Sequence, residues 1–269
     1  MHRNKYNRAS SRIARRSKMK KIFNLFLKIG LPTAVFVGFI LLSRAEFLQV
    51  KNFEVMGTET IPQKDIKNVA SDFISGNNFF VVPRSNIFLL NKEKLVAALL
   101  SRFGRLERVA VNKLFFSESI ELSIIERRAD FLWCSPQEQC FFMTKDGFIF
   151  EKSNSAEASL DKISFRGNLE GDPLMRDFVT PEKMQNYLKL IEVFKNAGFE
   201  ISSINIESAD KAVAKSSMGD IIFDPGETNL SLTAQNAVLL INDIKNKNPS
   251  ARFNYIDTRF GNKVFYKLI

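Results

Sequence analysis

Residues 22–42 read IFNLFLKIGLPTAVFVGFILL, and no second apolar run of comparable length follows. Asn24 and Lys28 are its only strongly polar members. At a rise of ~1.5 Å per residue a helix of this length spans about 31 Å, close to the roughly 30 Å hydrocarbon core of a bilayer. Lys28 lies one-third of the way in and can snorkel back toward the end it is nearest. Nine Lys or Arg residues precede Ile22 with no acidic residue among them, which predicts a cytoplasmic N-terminal end and an exported remainder. The alternative is a cleaved secretory signal, with 29–42 as its apolar stretch and Ser43-Arg44-Ala45 as the cleavage site. Both readings export the same folded part.

The charge needs to be located before it is interpreted. The net charge of +10 would ordinarily suggest nucleic acid, but residues 1–43 hold ten basic residues and no Asp or Glu. The other 29 basic residues share 44–269 with all 29 acidic ones, so the exported part is neutral. The excess is a tail, and no nucleic-acid partner is expected. Histidine is also informative, because the only one is His2, within that tail. A Ser-His-Asp triad, a Cys-His pair or a His-rich zinc site in the folded part is therefore excluded.

Two cysteines, Cys134 and Cys140, flank Ser-Pro-Gln-Glu-Gln between the apolar runs 131–133 and 141–143. A bridge across a hairpin end in an oxidising compartment is one reading, and two free thiols the other. Their spacing fits neither a C-x-x-C redox site nor, with two cysteines alone, a zinc site.

Behind the apolar run the chain changes texture every dozen residues. VKNFEVMG alternates apolar and polar residues and ends at Gly57, a short strand. Ile66, Val69, Ala70, Phe73 and Ile74 recur at helical spacing after Pro62, and Leu95, Val96, Leu99 and Leu100 do so after Asn91. ERVAVNK and SIELSII alternate again, so a strand-helix-helix-strand-strand unit closes near Glu126. From about Ala129 strands dominate, with a hairpin turn at Lys145-Asp146-Gly147 and helices expected after Thr180-Pro181 and over 233–246. The last stretch, FNYIDTRFGNKVFYKLI, holds two strand-like runs around Gly261-Asn262.

A basic tail, one span and V-x-x-F-x-V-x-G at Val50–Gly57 resemble the start of the FtsQ/DivIB bacterial cell-division proteins. GNNFFVV at Gly76–Val82, LERVAV at Leu106–Val111 and IELSIIER at Ile120–Arg127 resemble their POTRA domain. Ile256-Asp257-Thr258-Arg259-Phe260 resembles the family's I-D-x-R-aromatic motif, and order and spacing agree over essentially the whole chain. The family's proline between the second and third POTRA strands is absent from LFFSES, and its E-R-x-P-x-A pattern stands here as Glu126-Arg127-Arg128-Ala129-Asp130-Phe131. The resemblance implies an α+β protein with a basic tail at 1–21, a transmembrane helix at 22–43, a POTRA domain at 48–128 and a C-terminal β-domain at 129–269. It implies a non-enzymatic, single-pass inner-membrane scaffold of the division septum, mostly periplasmic and without cofactor or small-molecule substrate. Membrane lipid would surround 22–43, and the partners would be FtsB and FtsL, with other septal proteins on POTRA. In the family a segment of FtsB adds as a strand to the terminal sheet edge.

The terminal run also has its own physics. Alternation from Lys263 puts Val264, Tyr266 and Leu268 on one face and Lys263, Phe265 and Lys267 on the other. An aromatic between two lysines suits an edge strand guarded against aggregation or a docking edge that takes a partner's backbone. With the resemblance, Arg259, Phe260, Gly261, Val264, Phe265 and Tyr266 are the candidate partner-binding residues. Asp257 and Arg259 share a face and can pair, and Glu126-Arg127-Arg128 reads as a solvated charge run. An exported hydrolase would need a Ser-Lys pair, at Ser17/Lys20, Ser159/Lys162 or Ser208/Lys211, a number of S-x-x-K matches near chance for this composition. A multi-POTRA outer-membrane assembly factor would need several repeats or a long barrel, for which 130–269 has no room.

Overall fold

In the computed structural model the first described element is a helix, a π-turn at Phe26–Gly30 running into α1 at Leu31–Ser43. The structure describes residues 26–78, 82–115, 117–153, 162–261 and 263–269. The basic tail, the start of the apolar run and two of the candidate serines, Ser17 and Ser159, lie outside them. Eighteen residues, Phe26–Ser43, form a helix long and apolar enough to cross a membrane, with almost no surface covered by protein. At ~1.5 Å per residue this described part is about 27 Å long.

The chain divides into two compact units, Met1–Glu126 and Arg127–Ile269. In the first, β1 (Asn52–Met56) is followed by α2 (Gln63–Ile74), a two-residue pair β2 (Asn77–Asn78) and β3 (Val82–Pro83), and α3 (Lys92–Arg102). Then come β4 (Leu106–Leu114) and β5 (Ser119–Glu126). The sheet order is β1-β5-β4, with β1 parallel to β5 and β4 antiparallel to it. The apolar stripes read from the sequence meet here: Ile66, Ala70, Leu95 and Leu99 close over Phe53, Val55, Ile120 and Leu122, all buried. Asn91 begins α3 by accepting a hydrogen bond from the Lys94 N–H at 2.9 Å, which satisfies one donor of the first turn. Gly57 ends β1 with φ at +83°, where a Cβ would stand 2.2 Å from the Ile124 carbonyl oxygen, so only glycine fits.

Glu126 differs from its reading as part of a solvated charge run. Its carboxylate accepts from the backbone N–H groups of Glu59, Thr60 and Ile61 at 2.9–3.1 Å. It thereby ties the end of β5 to the loop that enters α2, a bond across more than sixty residues that no local pattern encodes.

The second unit is a ten-stranded sheet. Its strands are β6 (Phe131–Cys134), β7 (Cys140–Met143), β8 (Phe148–Lys152), β9 (Ser164–Arg166), β10 (Arg176–Asp177), β11 (Ile201–Ser208), β12 (Lys211–Ser216), β13 (Gly219–Phe223), β14 (Phe253–Phe260) and β15 (Lys263–Leu268). Two helices, α4 (Pro181–Asn196) and α5 (Leu230–Lys247), supply the rest. The spatial order is β10-β8-β7-β6-β9-β11-β12-β13-β14-β15. Met184, Tyr187, Leu190 and Phe194 of α4 and Leu230, Ala234, Ala237 and Ile241 of α5 pack with Trp133, Phe141, Phe165, Phe223 and Phe253 in one core. Leu132, Cys134, Phe142 and Phe150 form a smaller cluster from the alternate strand positions, as the two-residue period of a pleated sheet requires. Burying a Phe side chain contributes about 2 kcal/mol, so the aromatic-rich helix-facing layer dominates this unit's stability.

α5 begins three residues earlier than expected because Asn229 caps it, its side chain accepting from the Leu232 N–H at 3.1 Å. Two strands of this unit escaped the sequence reading, as the short β2–β3 pair did in the first unit. β9 is only three residues long, yet it lies parallel between β6 and β11 with Phe165 fully buried. β10 has two residues.

Candidate docking edge

Among the described residues β15 is the last strand of the sheet and pairs only with β14. In an antiparallel strand alternate residues turn their N–H and C=O groups away from the neighbour, so β15 presents a row of backbone donors and acceptors outward. The register sets Ile256 opposite Tyr266 and Asp257 opposite Phe265. Val264 and Tyr266 face the helix side, Val264 against the core and the Tyr266 ring 6.0 Å from Phe253. Phe265 stands on the opposite face, half exposed at 50%.

The hairpin that places this strand turns at Gly261, whose φ of +62° lies in the left-handed region that glycine adopts without strain. Asn262, the other turn residue expected from the sequence, lies outside the described residues. Ahead of the turn the register shifts between Asp257 and Phe260, with three steps on β14 set against two on β15. Such an extra residue re-aims the side chains around it. Here it leaves Phe260 at 53% exposure, edge-on to Phe265 with ring centroids 5.2 Å apart. The Arg259 guanidinium lies 5.4 Å from the Phe260 ring centre and caps the pair.

Arg259 is held from below. Its Nε and Nη2 donate to the two carboxylate oxygens of Asp257 at 3.0 and 2.8 Å, and its backbone N–H donates to Asp257 Oδ1 at 3.2 Å. Asp257 is buried, which by itself would raise its carboxyl, but the Arg259 hydrogen bonds outweigh burial and hold it below the usual carboxylate range. The same contact raises the Arg259 guanidinium further. A bidentate, mostly buried pair fixes the Arg259 side chain in a way an exposed pair does not. The neighbouring Thr258 hydroxyl donates to the Ile222 carbonyl at 2.9 Å and ties β14 to β13.

A second part of the edge was not legible in the sequence. α5 lies against β14 and β15, and its Leu239 is 67% exposed. Asn236, Leu239, Leu240 and Val264 line a shallow depression of about 430 Å³ beside β15. The helical spacing of Val238, Ile241 and Ile244 marked the buried face of α5, but nothing local said that Leu239 would border the open strand. The edge therefore combines backbone groups, an aromatic pair on one face and a shallow depression of mixed polarity on the other. Chemically it can bind an extended peptide with apolar side chains at alternate positions.

The six candidate residues fall into one neighbourhood, with Arg259 and Phe260 closing β14, Gly261 in the turn and Val264, Phe265 and Tyr266 on β15. Cys134 and Cys140 are directly opposed in the β6–β7 ladder and joined, with Cα atoms 4.1 Å apart. The one candidate Ser-Lys pair within the described residues is not assembled. The Ser208 hydroxyl donates to Asp210 at 2.6 Å, while Lys211 Nζ pairs with Glu207 at 2.8 Å. No cluster of three or more metal-ligating side chains occurs among the described residues. Comparison with protein-family models and with curated proteins finds no match to this chain.

Proposed function

We propose that the chain is a membrane-anchored scaffold whose exported part captures an extended segment of another membrane protein as an added strand on β15. The observation that carries this reading is the position of β15: a six-residue strand, outermost in its sheet among the described residues, with Phe265 and Tyr266 half exposed between its two lysines. Main-chain hydrogen bonds to the incoming strand supply affinity, and Phe260, Phe265 and the Leu239–Val264 depression supply selectivity. The Asp257–Arg259 pair stiffens the end of β14 so that the aromatic pair is ordered before a partner arrives, which lowers the ordering cost of binding.

The anchor is the helix ending at Ser43, and nine preceding positive charges hold its start in the cytoplasm. The Cys134–Cys140 bond suits a domain in an oxidising compartment outside it. The strand-helix-helix-strand-strand first unit and the I-D-x-R-aromatic end of β14 support an FtsQ/DivIB-type role at the bacterial division septum. The first unit is then a POTRA domain and the partners are of the FtsB/FtsL type. No enzymatic step is invoked in this role.

The test is a pull-down of detergent-solubilised full-length protein with an FtsB-type partner. Deleting 260–269, or introducing Val264→Pro, should abolish capture while membrane insertion persists. Capture that survives both changes refutes docking on β15. Capture of no partner by the unaltered protein, with insertion intact, refutes the divisome assignment and leaves the anchor standing.

A further inference from the structure

The segment leaving α1 is fastened to the first unit, not loosely tethered to it. Asn86 is buried and its Nδ2 donates to the Ser43 carbonyl, the last of α1, at 2.9 Å. Gln49 Nε2 donates to the same carbonyl at 2.8 Å, and the Ser85 hydroxyl donates to Gln49 Oε1 at 2.5 Å. Backbone bonds continue the seam, from Ile87 N–H to the Leu48 carbonyl and from Val50 N–H to the Ser85 carbonyl, both 2.8 Å. Asn86 Oδ1 also accepts from the N–H groups of Phe88 and Leu89, which shapes the turn at 86–90.

That turn carries large apolar side chains outward. Phe88 is 62% exposed and stacks on Phe115 with ring centroids 4.9 Å apart. Leu89, Phe115 and Phe47 are exposed as well, Phe47 lying four residues beyond the end of α1. Single exposed apolar residues are ordinary, but a stacked aromatic pair on a turn hydrogen-bonded to the end of an apolar helix, with Phe47 on the same connecting segment, is not. Lys113 fastens the turn to β4, its Nζ donating to the Phe88 and Leu90 carbonyls at 3.3 and 2.9 Å. Exposed aromatic rings match the chemistry of the bilayer headgroup layer, where aromatics concentrate.

We propose that Phe47, Phe88, Leu89 and Phe115 form a membrane-contact patch that seats the end of the first unit in the lipid headgroup layer. The occupant is lipid because the patch is continuous, through Asn86 and Gln49, with the helix end that lies at the membrane boundary. This rests on the anchor reading of α1. Its consequence is orientation, since the first unit then stands at a fixed attitude on the membrane instead of swinging on a tether.

The experiment reconstitutes full-length protein into vesicles of zwitterionic and anionic phospholipid brominated in the acyl chain near the headgroup. Single tryptophans are introduced at Phe88, at Phe36 within α1 and at Ile125, about 20 Å further along β5 than its start. Buried Trp133 is common to all and is subtracted. The proposal expects Phe88→Trp to shift to shorter wavelength and lose several-fold more intensity than Ile125→Trp. Equal, weak quenching at both positions, with Phe36→Trp strongly quenched, overturns the patch and leaves the anchor. Weak quenching at Phe36→Trp overturns the anchor and the patch with it. A blue shift at Phe88→Trp without quenching shows the ring shielded by protein and away from lipid, and also overturns the patch.

Discussion

The ten-stranded sheet has two ends, and they are built oppositely. At one end β10 offers two residues, Arg176 and Asp177, both exposed and both charged. At the other, β15 offers six residues with Phe265 and Tyr266 half exposed. Short, charged edges are how proteins prevent unwanted strand pairing. The same molecule uses that device at β10 and largely omits it at β15, keeping only Lys263 and Lys267 as guards. The nine-residue β4 in the first unit shows that length is not the distinction. It too is an outer strand, but its exposed positions are Glu107, Arg108, Ala110 and Asn112. Apolar side chains on an open backbone set β15 apart. The hairpins near the two ends also differ, β6–β7 being cross-linked by a covalent bridge and β14–β15 held by its ladder alone, with one ion pair inside β14.

Making β15 resemble β10 should have the largest effect. Phe265→Lys leaves the fold intact, because the side chain is half exposed, and should weaken partner-strand binding by about 2 kcal/mol, or roughly 30-fold in Kd, as measured by titration calorimetry. An unchanged Kd removes the aromatic from the docking account. Opening the stapled end should lower stability by about 2 kcal/mol, because the closed loop is short, with the midpoint of denaturant unfolding falling on reduction. Partner binding at the far edge should then be retained under native conditions.

Loosening the end of β14 gives a smaller, pH-linked effect. Asp257 has a lowered pKa in the folded state. Its contribution is therefore present above the ordinary carboxylate value of about 4 and lost as pH falls through the depressed folded value. Asp257→Asn should cost about 1–2 kcal/mol near neutral pH and flatten the acid limb of stability, read from denaturant midpoints across pH. An acid limb identical to that of the unaltered protein would show that the pair contributes nothing. Smallest of all, Arg176→Ala with Asp177→Ala should leave partner affinity unchanged, since the proposed docking edge is β15. A large loss in the same calorimetric titration would place the partner at the wrong end of the sheet.

Much of the molecule is legible in short windows. The helical spacing around Ile66 and Leu95, the alternation of β4 and β5 and the turn at Gly261 all depend on residues within a few positions of each other. The same holds for the outward lysines and aromatic of β15, which alternation assigns to one face. β9 was missed because three residues carry no readable period, although burial of Phe165 makes it central to the core. Leu239 was missed as part of the edge because its neighbours there come from a strand about twenty-five residues later.

The amino-acid order alone determined the apolar span, the sign of its flanking charge, the identities of most helices and strands and which faces they bury. Those properties follow from periodicity and composition, which act locally. Only the tertiary structure decided that β15 is outermost, that Glu126 holds the loop into α2 and that Asn86 grips the end of α1. Each depends on which distant segments share one core, and that is settled by packing two helices against a sheet whose strand order no local pattern records.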